Sequence, residues 1–325
     1  MGIQYLNRFM IDNTNKSSIR KLHLHELRHK TIVIDTSIYL YKFVAENTLI
    51  ESLYLLISIF RKYSIVPIFI FDGKPPAEKR DLLHQRKINK VEAESKYAEM
   101  KTIMESITDA NELQKIQHEM DLLKRQFVSI TNDDIQSAKT LMEYYGVKYY
   151  VATGEADHLI AYLVKSKKAW GCLSDDMDMF VYGCTHVYRH ISLLNHTVIY
   201  YDTTAILHDL EMTYHEFCEI MVMSGTDYNI NNNTSIHESI KIFTQYKKYM
   251  KNKKNKNKKM AFHVWVSQNT EYIPDYDEFL NHCKIFKLDK FEEPIVNNIS
   301  LKYEPIQREK LQDFLTNYGF IFCTS

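Results

Sequence analysis

Two short runs of β-branched and aromatic residues, Thr31-Ile-Val-Ile-Asp35 and Val66-Pro-Ile-Phe-Ile-Phe-Asp72, are apolar without alternation, and each ends on an acid. An unbroken apolar run suits a strand covered on both faces, so both read as inner strands of a parallel sheet. Between them, residues 47–63 carry apolar side chains at helical spacing, as a crossover helix does. Residues 147–152 and 169–173 repeat the strand pattern on either side of a helix predicted over 155–167. This alternation predicts an α/β fold, a mostly parallel central sheet flanked by helices.

Residues 76–127 break the alternation. They are highly charged, hold no glycine and no proline after Pro76, and place apolar residues at heptad-like intervals. They read as long exposed helices inserted into the α/β unit; a solvated helical hairpin without a role is the alternative. The chain is accordingly expected to be one domain, 1–325. Its core parts lie at 1–73 and 130–230, the helical insertion at 74–129, and a mostly helical region that closes the core at 231–325. Within that last region residues 247–259 crowd lysines among asparagines, Lys253, Lys254 and Lys256 included. Such a run is either a hydrated loop or a phosphate-binding one.

Charge over the whole chain does not favour nucleic acid: 41 Lys and Arg face 41 Asp and Glu, so attraction to phosphate has to come from local patches. The longest greasy stretch, residues 53–60, is far short of the roughly 18 residues that span a bilayer. Residues 1–16 lack the apolar centre of a signal peptide, and Leu6 stands where a myristoylation motif built on Gly2 has Ser or Thr. The five cysteines, Cys172, Cys184, Cys218, Cys283 and Cys323, are odd in number and lack CxxC spacing. That speaks against a disulfide framework or zinc site and for a reducing, intracellular compartment. The cysteines, Met221, Met223, Trp170 and Trp265 are expected to be packing residues. His23, His25 and His29 precede the first predicted strand and are expected on the surface.

The chemistry lies in where the acids fall. Asp35 and Asp72 close two strands, Glu155 and Asp157 follow the third at the mouth of a helix, and Asp176 and Asp178 follow the fourth, with Asp227 further on. In open α/β sheets the carboxyl ends of parallel strands share one edge, where ligands bind. Folding should therefore gather these acids, and several carboxylates in close company would have to take up protons unless cations intervened. Hard oxygen donors select Mg²⁺ or Mn²⁺. Two such ions about 4 Å apart suit in-line displacement at phosphorus. Taken singly, an Asp after a strand is more often a helix cap or turn residue than a ligand; four strand-end sites in this order are harder to explain that way. Asp175 is expected to point away from Asp176.

These motifs resemble the flap endonucleases, the structure-specific 5′ nuclease superfamily with a PIN-like core. Phe71-Asp-Gly-Lys-Pro-Pro76 is the most specific match. Val33-Ile-Asp35 through Tyr41, Gly154-Glu-Ala-Asp157, Ser174-Asp-Asp-Met-Asp178 and Ser224-Gly-Thr-Asp-Tyr228 are similar to the family's other acidic elements. Residues 291–296, 301–305 and 311–315 are similar to the segment that closes the core. The resemblance implies that Asp35, Asp72, Glu155, Asp157, Asp176, Asp178 and Asp227 hold two Mg²⁺ ions, with Mn²⁺ able to substitute. It implies that Lys79 and Arg86 hold the scissile phosphate at the foot of a helical arch, and that Tyr41 stacks on a base. Met1-Gly-Ile-Gln resembles the family's amino terminus, which makes Gly2 a candidate DNA contact beside Lys253, Lys254 and Lys256.

The implied partner is branched or 5′-ended DNA, handled by a monomer in replication or repair, in the nucleus or at a replication site. No sliding-clamp motif is evident. A 5′→3′ exonuclease or ribonuclease on the same core, and a branched-DNA-binding scaffold without catalysis, are the alternatives. The chain departs from the family at residues 229–235, where a stretch rich in asparagine replaces the Gly-Ile-Gly hairpin that grips duplex backbone.

Overall fold

In the computed structural model the described residues are 3–104, 107, 109–229, 234–252, 260–288, 299–300 and 302–322. Seven strands are formed: β1 (Ile19–His23), β2 (Thr31–Asp35), β3 (Val66–Phe71), β4 (Lys148–Val151), β5 (Gly171–Leu173), β6 (His186–Ser192) and β7 (Thr197–Asp202). They make one mixed sheet in the order β1-β7-β6-β5-β2-β3-β4. From β4 to β6 every neighbouring pair is parallel, while β7 runs antiparallel to both β6 and β1. The parallel part is as the sequence predicts. The crossover helix spans Leu49–Lys62 and the helix after β4 spans Ala156–Lys165, each a residue or two inside its predicted bounds.

Three strands have no counterpart in the sequence reading. β1, β6 and β7 carry polar and aromatic residues, Arg20, Lys21, Tyr188, Arg189 and Tyr200 among them, and lie at the partly covered end of the sheet. They therefore lack the continuous apolar run that marks an inner strand. His23 consequently ends the first strand instead of preceding it, and its ring packs edge-on against Tyr63. Trp170 also departs from expectation: it is 42% exposed, with the Lys30 ammonium 3.5 Å above its ring and its indole N–H donated to the Tyr188 hydroxyl. Trp265, Met221, Met223 and Cys172, Cys184, Cys218 and Cys283 are buried as packing residues, whereas Cys323 lies outside the described residues.

The sheet separates two apolar cores. Val33, Ile68, Ile70 and Cys172 point into one, against helices Ala156–Lys165 and Tyr214–Met223. Ile32, Ile34, Phe69 and Leu173 point into the other, against helices Leu49–Lys62, Asn132–Tyr145 and Arg308–Thr316. Residues alternate between the faces because successive strand side chains do, and burial on both sides fixes the register of the strand ends. Between β3 and helix Asn132–Tyr145, a short turn at Ala77–Lys79 leads into two long helices, Arg80–Met104 and Ala110–Phe127, which pack on each other.

One glycine brings two strand ends together. The Gly73 N–H donates to the Gly154 carbonyl at 2.7 Å, and a Cβ at position 73 would stand 2.0 Å from the Ala152 carbonyl oxygen. Backbone cannot yield as a flexible side chain can, so any larger residue has to push the loop after β3 away from the loop after β4. Gly73→Ala should therefore destabilise the fold by about 1–3 kcal/mol, the usual scale of overpacking, read as a lower urea midpoint. A midpoint equal to that of the parent would show that the loops part without cost.

Candidate active site

Asp35 is the last residue of β2, Asp72 follows β3, Glu155 and Asp157 open the helix after β4, and Asp176 and Asp178 follow β5. The chain runs from β2 to β3 and β4 on one side and returns to β5 on the other, so Asp35 sits where the winding reverses. That crevice is where an open α/β sheet binds ligands. Asp227 joins from the turn after helix Tyr214–Met223. Asp35, Asp176, Asp178 and Asp227 are buried, Glu155 and Asp157 half-buried, and Asp72 exposed at the rim.

A hydrogen-bond network sets the inner acids. The Ser174 hydroxyl donates to Asp35 Oδ2 at 3.0 Å and accepts from the Asp176 N–H at 3.1 Å. Asp176 Oδ1 in turn accepts from the Asp178 N–H at 3.0 Å. Asp72 accepts from the Ser37 hydroxyl at 2.6 Å and from the Ala156 N–H at 2.8 Å. It thereby caps the first turn of helix Ala156–Lys165, whose N-terminus favours negative charge. Asp175 turns away, its carboxylate accepting from the His190 N–H on β6.

Two cations from the foot of the helical insertion reach Glu155 and Asp227. Lys79 Nζ lies 2.7 Å from Glu155 Oε1 and 4.0 Å from Asp227 Oδ2, and Arg86 Nη2 is 2.8 Å from Asp227 Oδ2. Burial alone would lower the Lys79 ammonium, but Glu155, Asp157 and Asp227 outweigh it and raise its pKa. Arg86 is 43% exposed on its side chain, so its pair is screened and contributes little to stability. Glu155 Oε2 also accepts from the Tyr228 hydroxyl at 2.6 Å. Tyr41, on the helix that leaves Asp35, is 49% exposed and free of the core. Gly2, Lys253, Lys254 and Lys256 lie outside the described residues, as do residues 291–296.

The electrostatics are those of crowded, desolvated anions. Burial, then Asp72 and Asp176, push the Asp35 carboxyl up to about 7. Burial and neighbouring acids likewise raise Asp157, Asp176 and Asp178. Asp178 is the extreme case: it is 1% exposed and neither of its oxygens has a hydrogen-bond partner. A donor set made wholly of carboxylate oxygens, with two of them orphaned, fits hard divalent cations. The acids stop short of a finished cage, however. Among the described residues no three His, Cys, Asp or Glu side chains are gathered closely enough to hold one ion. Two of the acids lean instead on Lys79 and Arg86. Ser37, Ser174 and Tyr228 fall within the motifs the sequence singles out, but their hydroxyls reveal a supporting role only once the strand ends are placed side by side.

The XPG N-terminal domain and XPG I-region family models match residues 1–93 and 146–227, together over half of the chain. Flap endonuclease 1 of Candida glabrata is 28% identical over 247 residues, covering 70% of this chain and 61% of that protein. The chain thus spans about 61% of the length of the curated relatives it matches. Among solved structures, the catalytic core of Rad2 in complex with DNA substrate superposes with a TM-score of 0.66 at 21% identity, over 98% of this chain and 95% of that one. Flap endonuclease-1 from Methanococcus jannaschii gives a TM-score of 0.56 at 18% identity, over 98% and 100%. At such identities these two likenesses bear on the fold.

The raised Asp35 sets a pH dependence. In the unfolded chain this group loses its proton near 3.8, whereas in the fold it keeps it to about 7. The folded state binds more protons across that window. The group's contribution is therefore fully present below pH 4 and is lost as pH rises through 7. With metal removed by EDTA, the urea midpoint of the parent relative to Asp35→Asn should fall steadily between pH 4 and 8. The total difference should be on the order of a few kcal/mol, since each pKa unit is worth about 1.4 kcal/mol. A difference that stays flat or grows with pH would contradict the desolvated site.

Proposed function

The chain belongs to the flap endonuclease/XPG superfamily of nucleases, and from that premise we propose that it is a metal-dependent, structure-specific 5′ flap endonuclease that hydrolyses phosphodiester bonds in DNA. The observation that carries the proposal is Asp178, whose two buried oxygens lack any donor amid six further acids. An ionised carboxylate buried without a partner costs several kcal/mol, a penalty that bound cations remove. Asp35, Asp72, Glu155, Asp157, Asp176, Asp178 and Asp227 would hold two Mg²⁺ ions, for which Mn²⁺ can substitute. Bound there, the ions supply positive charge and Lewis acidity to the attacking water and the leaving oxygen.

The chain's own residues do the rest. Lys79 and Arg86 exchange a carboxylate partner for the oxygens of the scissile phosphate and steady the charge that develops on it. Tyr41 offers an exposed ring on which the base beside the cut can stack. Helices Arg80–Met104 and Ala110–Phe127 form an arch rooted at Lys79 and Arg86, through which a free 5′ end passes. The lysine-rich run 247–259, expected as a loop, begins as the last turns of helix Ile236–Lys251, where Lys247 faces Glu216; its other lysines add contacts to the duplex backbone. The partner is branched or 5′-ended DNA, met by a monomer during replication or repair.

Labelled 5′-flap, nicked, blunt and RNA substrates test this reading in Mg²⁺. Release of the intact flap as the main product is expected, and Asp178→Ala should cut cleavage on the order of 100-fold or more while DNA binding persists, because charge stabilisation worth several kcal/mol is lost. Mononucleotides released from ends as the main product would make the protein an exonuclease instead. Absence of divalent-dependent cleavage on every substrate would leave a binding scaffold.

A further inference from the structure

Glu155 is held from two sides. Its Oε1 takes the Lys79 ammonium, and its Oε2 takes the Tyr228 hydroxyl at 2.6 Å. The Tyr228 hydroxyl lies 2.7 Å from that of Tyr182, and the Tyr182 hydroxyl lies 3.5 Å from His158 Nε2. A phenol has one proton to give. Since Tyr228 gives its proton to the carboxylate, Tyr182 has to donate to the Tyr228 oxygen. The Tyr182 oxygen can then only accept from His158, over a long contact. The direction of donation is thus fixed from the interior of the fold towards Glu155.

The rings are clamped as firmly as the hydroxyls. Tyr182 is fully buried and Tyr228 nearly so. Phe286, at the end of helix Tyr276–Ile285, packs against both rings with centroids 4.9 Å and 5.5 Å away. Lys79 Nζ also stands 4.6 Å from the centre of the Tyr228 ring. Tyr228 therefore touches both members of the Lys79–Glu155 pair.

We propose that Tyr182 and Tyr228 form a positioning relay that aims Glu155 for metal binding, with Tyr182 acting through Tyr228. The proposal rests on the metal-dependent nuclease reading, and it goes beyond that reading by giving work to two hydroxyls outside the acidic set. Once Lys79 turns from Glu155 to a phosphate, Tyr228 is the donor that keeps the carboxylate in place. A linked pair of donors holds it more firmly than one, because each hydrogen bond polarises the next. Groups that orient ligands in this way are commonly worth about 10–100-fold in metal affinity or activity.

The test uses Y182F, Y228F and the double variant in the full chain, since phenylalanine keeps each ring and removes only the hydroxyl. Binding of Mn²⁺ to the DNA-free protein is titrated by electron paramagnetic resonance of the free ion, and single-turnover cleavage of a 5′-flap duplex is followed against Mg²⁺ concentration. Y228F should weaken Mn²⁺ binding about 10-fold or more and raise the Mg²⁺ requirement, and Y182F should do the same to a smaller degree. The double variant should be no worse than Y228F alone, because a residue that acts only through Tyr228 has nothing left to act on. Two results would overturn the relay: Y228F with the parent's Mn²⁺ affinity and Mg²⁺ requirement, or a Y182F effect that persists undiminished beside Y228F, the mark of simple packing. Should Y228F fail to fold, Y182F decides alone by its Mn²⁺ affinity. If the parent cleaves none of the substrates, the nuclease reading fails, while the Mn²⁺ titration still judges the relay.

Discussion

The burial of several carboxylates away from water, compounded by their repulsion of one another, is the constraint on which the site depends. Asp35, Asp157, Asp176 and Asp178 are all pushed towards keeping their protons by burial and by one another. A chain free to choose would let them part. What prevents it is the sheet beneath: β2, β3 and β5 are packed on both faces, so their ends cannot drift without exposing Val33, Ile34, Phe69 or Cys172. The site's unfavourable electrostatics are therefore offset by apolar burial some distance away, as expected where a fold stores strain for a function.

Around that centre, the neutralising groups differ in kind. Ser174, Ser37 and the N–H groups of Ala156 and Asp178 belong to the strand ends and helix starts of the core and donate to Asp35, Asp72 and Asp176. Lys79 and Arg86 come from the insertion and satisfy Glu155 and Asp227 with side-chain charge. Asp35, Asp72 and Asp176 are thus set by backbone and hydroxyl groups, whereas Glu155 and Asp227 are set by side-chain cations. Tyr228 straddles the boundary, touching Lys79 through its ring and Glu155 through its hydroxyl.

The inner strands were legible because burial on both faces writes an uninterrupted apolar run, and the acids because they stand where those runs stop. β1, β6 and β7 were not, since a strand at a partly covered sheet end mixes Arg20, Lys21 and Tyr200 with its core residues and its pattern resembles a loop. Trp170 shows the same limit: a large ring beside a buried strand suggests packing, yet a ring at a sheet's end can sit in water beneath Lys30. The hydroxyls of Ser174, Tyr182 and Tyr228 leave no periodic trace at all. Their partners lie up to 139 residues away: Ser174 meets Asp35 because β5 pairs with β2, and Tyr228 meets Tyr182 and Glu155 because the turn after helix Tyr214–Met223 returns to the strand ends.

The helical hairpin of Arg80–Met104 and Ala110–Phe127 depends on the site as much as the site depends on it. Among the described residues of its two helices, Ala93 and Met120 are the only buried apolar ones, so little hydrophobic burial anchors the hairpin to the core. Lys90 ties the two legs of the hairpin through the Val128 carbonyl and the Ser129 hydroxyl, while the hairpin's side-chain ion pairs with the core are Lys79 and Arg86 on the acids at the foot and Arg125 on Glu46 at 3.8 Å. Exposed ion pairs of the last kind contribute little, which leaves the buried Lys79–Glu155 contact as the strongest tie between hairpin and core. Any ligand that competes for Glu155 or Asp227, a cation on the acids or a phosphate on Lys79, acts on that tie directly. The charge balance at the strand ends and the seating of the hairpin's foot thereby share the same contacts, Lys79 with Glu155 and Arg86 with Asp227.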